Sequence, residues 1–207
     1  MKKAKVSICN RPISECSECA LKNQLKCRFQ IKDFIFYMIP IIMIFIPAII
    51  GILLTDLYIF LIIYAIVLII FFTFETRILC SHCPYYNEQK KCLHCYIHFG
   101  LFKIWRYHPE PMSRSEKVIW IITFICMMLF PIPFLIIAKQ YFMLSLSLIG
   151  ITIWIIMEIT YTSKKCVNFS CPLNRVPKNI KDDFLIRNPI IKEAWEKKGE
   201  KFEYKPK

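Results

Sequence analysis

The chain has 207 residues, 56% of them hydrophobic and 15% aromatic, with four glycines and a formal net charge of +13. A mean hydropathy of +0.44 excludes an ordinary soluble domain and makes the chain a membrane protein whose cations need an explanation of their own. That charge is dispersed over three segments and forms no continuous stripe, so no nucleic acid is expected as a partner.

Residues 1–33 form a cysteine-rich segment containing Cys9, Cys16, Cys19 and Cys27. Its charges and thiols precede the first apolar run, and no small-residue cleavage site follows a short one, so the first span is expected to stay in the mature protein. Phe34 to Leu54 then runs 21 residues without a charge, and Leu57 to Phe74 runs 18. About 20 such residues are needed for a helix to cross a hydrocarbon core ~30 Å thick with every backbone group bonded internally. Only Thr55-Asp56 separates the two, so residues 34–74 are expected to make a tight transmembrane hairpin. Pro40 and Pro47 should bend its first helix.

Residues 75–117 form a loop with the most specific motif in the chain, Cys80-x2-Cys83 followed after eight residues by Cys92-x2-Cys95. Two intervening residues let both sulfurs of a tight turn face one metal, and two such turns close a tetrahedral thiolate site. His82 and His94, inside the knuckles, are expected to face solvent or bond the loop. Tyr96 to Tyr107 mixes Phe99, Leu101, Phe102, Ile104 and Trp105 with Lys103 and Arg106, a composition suited to the membrane interface. Ser113-Arg114-Ser115-Glu116 makes a capping box that opens the third span.

The second hairpin covers residues 118–160: Val118 to Ala138, with Pro131 and Pro133, and Tyr141 to Thr160, with only Lys139-Gln140 between them. Glu158, near the end of the fourth span, is expected to snorkel to water, and no deep intramembrane charge is expected. Cys126-Met127-Met128 offers soft ligands within the membrane, although such residues are ordinary packing groups in apolar helices. The tail, residues 161–207, contains Cys166-x4-Cys171, which needs ligands from another segment if it binds metal. Asn188, Pro189 and Gly199 delimit a short amphipathic helix with Ile190, Ile191, Ala194 and Trp195 on one face, placed to dock on the membrane or the loop.

The architecture expected is therefore an all-α integral membrane protein, four transmembrane helices in two tight hairpins with small, metal-stapled, cysteine-rich cytoplasmic segments. The segments 1–33, 75–117 and 161–207 carry 8, 7 and 12 Lys plus Arg, and the far side has Lys139 alone. Basic residues near span ends stay inside, which places the protein in the cell membrane with both termini cytoplasmic and its cations against anionic lipid head groups. Both halves show a Pro-bearing span, a two-residue turn, a plain span and a basic cysteine segment, the pattern of a parallel internal repeat.

Ten of eleven cysteines fall on the side assigned to a reducing cytosol, where metal coordination is the leading reading for Cys9, Cys16, Cys19, Cys27, Cys80, Cys83, Cys92, Cys95, Cys166 and Cys171. Segments this short cannot each bury enough apolar area to offset an ordering entropy of about 1.5 kcal/mol per residue, which also points to staples. Zinc is the leading metal. Cys83-Pro84 and Cys171-Pro172 resemble the Cys-Pro step of iron–sulfur ligation in bacterial-type ferredoxins, over two residues at each place, which makes an iron–sulfur cluster the alternative. No phosphate loop, nucleophile elbow or His-Glu-x-x-His occurs, so no catalytic constellation is recognised, and an enzyme, if it is one, would be a membrane oxidoreductase. The functional expectation is a multi-pass protein whose zinc-binding cytoplasmic cap serves assembly or recruits a protein partner. The alternatives are a membrane electron-transfer or thiol-redox component and a soft-metal transporter or sensor.

Overall fold

The computed structural model describes residues 16, 18–54, 58–87, 93–95 and 103–202. Those residues are helical, with no strand among them and a single parallel bridge between Arg28 and His94. The helices are α1 (Ile31–Leu53), α2 (Tyr58–Ile78), α3 (Arg114–Leu129), α4 (Ile132–Ile137), α5 (Tyr141–Met157), α6 (Lys178–Ile186) and α7 (Pro189–Glu196). Four stretches are long and apolar enough to cross a membrane: Ile31–Leu53, Tyr58–His82, Arg114–Ile137 and Tyr141–Thr162.

The spans start and stop where local chemistry directs them. Ser113 Oγ accepts from the Glu116 amide at 3.3 Å and the Glu116 carboxylate accepts from the Ser113 amide at 2.8 Å, the expected capping box at the start of α3. Gln30 and Asp33 form a comparable pair at the start of α1, with Asp33 accepting from the Gln30 amide. Pro131 ends α3 and stands at the N-cap of α4, so the third span is two helices. Pro40 and Pro47, by contrast, lie buried inside an unbroken α1. The fourth span finishes in a π-helical turn, Glu158–Thr162. Lys139 closes its far-side turn at a φ of 56°; the other turn, Thr55-Asp56, lies outside the described residues.

Helix pairing follows packing more than chain order. The most extensive contact in the bundle joins α1 to α5, which belong to different hairpins, and α2 lies mainly on α3. Small residues make the α1–α5 approach close: a Cβ on Gly150 would meet the Met43 backbone at 3.0 Å, and Ser147 Oγ donates to the Ile44 carbonyl at 3.3 Å. The outer surface stays apolar, with Ile35, Ile59, Ile62 and Ile69 all more than half exposed.

At one end of the bundle the three polar segments merge into one cap. Leu21, Leu25 and Phe29 from the first, Cys83, Tyr85 and Leu93 from the loop, and Val167, Phe184, Leu185, Ile191 and Trp195 from the tail form a single buried core. Backbone bonds stitch it: Phe29 N donates to His94 O at 3.1 Å, His94 N to Cys27 O at 2.9 Å and Lys26 N to Lys165 O at 2.8 Å. Lys26 is the hub, since its ammonium also donates to Asp33 and to Tyr161, and its carbonyl accepts from Tyr85. The segments escape the entropy limit that each faces alone by pooling their apolar residues.

Two expectations for the tail change. Asn188 does occupy the N-cap of α7, but its side-chain amide donates to Phe184 O at 2.6 Å, tying α7 to the end of α6. Ile191, Ala194 and Trp195 are buried as expected, whereas Ile190 faces outward at 37% exposure. Gly199, at a φ of +88°, terminates the helical region. Helix α6 was not expected; Ile180, Phe184 and Leu185 hold the helical spacing that would have identified it.

Candidate metal centre and the cavity beneath it

Helix α2 continues beyond the apolar run to Ile78, and a tight turn, with Cys83 N donating to Cys80 O at 2.9 Å, then buries Cys80 and Cys83. In the tail, turns at Cys171 N to Asn168 O and Asn174 N to Cys171 O fold Cys166 and Cys171 back toward the same place. Leu93–Cys95 is held there by its bridge to the first segment. Cys80, Cys83, Cys95, Cys166 and Cys171 consequently line one cavity of about 210 Å³. Five thiols from two segments more than 70 positions apart share a wall.

Backbone amides are aimed at three of these sulfurs. Asn168 N donates to Cys166 Sγ at 3.4 Å, Tyr85 N to Cys83, and Leu173 and Asn174 N to Cys171. Each such bond favours thiolate over thiol. Burial works the other way and outweighs it, holding Cys83 and Cys166 well above the usual thiol range and pushing Cys171 up to about 12. A bound cation is the element that would make thiolates favourable in this setting.

The remaining cysteines are distributed differently. Cys19 and Cys27 pack against the cap core and Cys16 is half-buried beside them, away from the cavity wall. Cys9 and Cys92 lie outside the described residues, as does the 96–102 part of the interfacial stretch; of the rest of that stretch, Ile104 is 73% exposed. Among the described residues no three His, Cys, Asp or Glu side chains stand close enough together to hold a metal ion. His82 bonds the loop, its Nδ1 2.7 Å from Glu110 O, with Nε2 3.5 Å from Glu116.

Below the thiols the cavity descends into the bundle, and here the expectation for acidic groups is overturned. Glu158 is 9% exposed and does not snorkel; it bonds Tyr37 and Thr162, and Tyr37 in turn bonds Trp154. Glu75, counted as a loop residue from hydropathy, lies within α2 and faces the same cavity. Phe71 and Glu75, and Trp154 and Glu158, are four residues apart, so one helical face carries each pair inward. That spacing was the missed signal. Phe71, Phe124 and Trp154 give the chamber aromatic walls, with Phe124 and Trp154 centroids 5.0 Å apart. Cys126 is exposed on α3, whereas Met127 and Met128 line the chamber, so Cys126 does not belong to a ligand set with them.

Comparison with known proteins brings no match, whether with family models, curated sequences or solved structures.

Proposed function

We propose that this chain is a multi-pass protein of the cell membrane whose cytoplasmic cap binds zinc and serves assembly or recruitment of a protein partner. The observation that carries the reading is the shared cavity wall: Cys80 and Cys83 from the loop, Cys166 and Cys171 from the tail, and Cys95 all line one cavity. The tail pair, which lacks further ligands of its own, would take them from the loop thiols on that wall. Amides already directed at Cys83, Cys166 and Cys171 supply the outer-shell hydrogen bonds that thiolate ligands use. Zinc would draw together sulfurs that the fold delivers to one place, and would lock the loop to the tail. Cys16, Cys19 and Cys27, with Cys9, are the ligands proposed for a second site.

Metal content and visible absorption of the full chain, purified anaerobically in detergent, test this reading. The expected result is near-stoichiometric zinc and no colour, with zinc lost from a Cys83→Ser, Cys166→Ser double variant and retained in Cys126→Ser. Iron with labile sulfide and a brown band would replace zinc by a redox centre. Metal-free protein with every thiol freely titratable would end the metal reading. Partner capture that survives metal removal would sever recruitment from the cap. Labelling of engineered surface cysteines from one side of intact cells checks the assignment of the cap to the cytoplasm, which rests on the 27 cations of its three segments.

A further inference from the structure

The polar groups facing the chamber beneath the thiols are unusual in kind. Glu75 has no ion pair or side-chain hydrogen bond among the described residues, and Glu158, the second carboxyl on the same wall, is bonded only to hydroxyl groups. Among the described residues Lys103 is the one cationic side chain on the wall, and its ammonium lies over the Tyr86 ring, 5.8 Å from the centroid. The chamber thus presents two carboxyl groups, one of them without a side-chain partner among the described residues, in surroundings that penalise unpaired negative charge.

The rest of the wall is apolar and aromatic. Tyr37, Phe124 and Trp154 line it with aromatic surface, and Met127 and Met128 with thioether side chains. Ring faces attract cations as carboxylates do, and their surface also accommodates hydrocarbon. Phe72, which lines the cavity, is also 52% exposed on the apolar surface of α2.

We propose that this chamber binds a lipophilic organic amine, its ammonium group hydrogen-bonded to Glu75 and Glu158 and its apolar body lodged among Phe124, Met127 and Trp154. An ammonium group carries enough N–H donors to answer both carboxyl groups. A bare metal ion would match the carboxylates and leave the apolar wall without a role. A neutral lipid would leave the acidic groups unmatched. The amine and the thiols share one cavity, and amine binding does not depend on whether the thiols hold zinc.

Dansylcadaverine, a fluorescent lipophilic primary amine, added to the full chain in lipid nanodiscs tests the proposal, with energy transfer from tryptophan as the readout. Saturable transfer is expected from wild-type protein, with and without chelator. N-Acetyl dansylcadaverine, which has the same body without the charge, should bind at least tenfold more weakly, and the Glu75→Gln, Glu158→Gln double variant should lose at least tenfold affinity for the amine. Equal binding of the two probes, non-saturable partitioning, or an unaffected double variant would each overturn the proposal. If the double variant does not fold, displacement from wild-type protein decides: hexylamine should compete and hexanol should not, and equal competition would overturn it. Because zinc content is measured on the same samples, loss of metal and loss of amine binding are read independently.

Discussion

The bundle and the cap of this protein solve the burial problem in opposite ways. Around the bundle the large aliphatic side chains point outward, and contact between helices depends on close approach at Gly150 and Ser147. In the cap Leu185, Val167 and Ile191 are almost wholly enclosed, and side chains from three distant segments share them. The difference is one of solvent. Apolar surface gains little by leaving lipid, so helices in a bilayer associate through fit and hydrogen bonds. Apolar surface gains about 25 cal/mol per Å² by leaving water, so short segments in water collect every buried side chain they can share.

The comparison breaks most visibly if the cap core is cut. Leu185→Ala at a fully enclosed position should cost about 2–5 kcal/mol. Amide exchange across α6 and α7 should rise steeply while exchange in α1, α2 and α5 stays slow. Joint loss of protection in both regions would show that they do not behave as separate units. The reciprocal experiment is Gly150→Val, which drives a branched side chain against the Met43 backbone 3.0 Å away and should cost about 1–3 kcal/mol. Here α1 and α5 should separate more readily in detergent unfolding, with the cap retaining its protection. Ser147→Ala is the finer test of the same contact: it removes one hydrogen bond to Ile44 O and should cost about 0.6 kcal/mol.

The smallest effect sharpens the view of the cap as a region that faces water. His108, whose amide donates to Ser81 O at 2.8 Å, has its imidazole pKa held below 6.5 by burial, helped by the charges of Arg77 and His82. A depressed pKa means that the unfolded chain takes up the proton first. The stability linked to this group is therefore complete above pH 6.5 and falls as pH drops through the folded-state value. Cap unfolding followed in urea from pH 7.5 to 5 should show that decline, and His108→Asn should flatten it. An unchanged slope in the variant would assign the pH dependence to other groups.

Much of this architecture can be read along the chain, because its causes are local. Span positions follow from windows of hydropathy, the capping box at Ser113 and Glu116 from four adjacent residues, and the end of α7 from Gly199. The clustering of cations on three segments is local in the same sense, and the common cap of those segments agrees with it. The cysteine spacings, Cys80-x2-Cys83 and Cys166-x4-Cys171, are local in the same way.

Tertiary structure decided the partners. Hydropathy placed Glu75 in the loop and Glu158 near water, yet α2 and the π-helical turn after α5 carry both into one chamber. Chain order paired spans into hairpins, while the closest packing joined α1 to α5 across them. Motif spacing grouped Cys80 and Cys83 with their own loop, and the fold brought Cys166 and Cys171 to the same wall. In each case the deciding quantity is which surfaces fit when segments far apart in sequence come together. Hydropathy and charge add up within a window of sequence, but fit is a joint property of two surfaces and has no value for either alone.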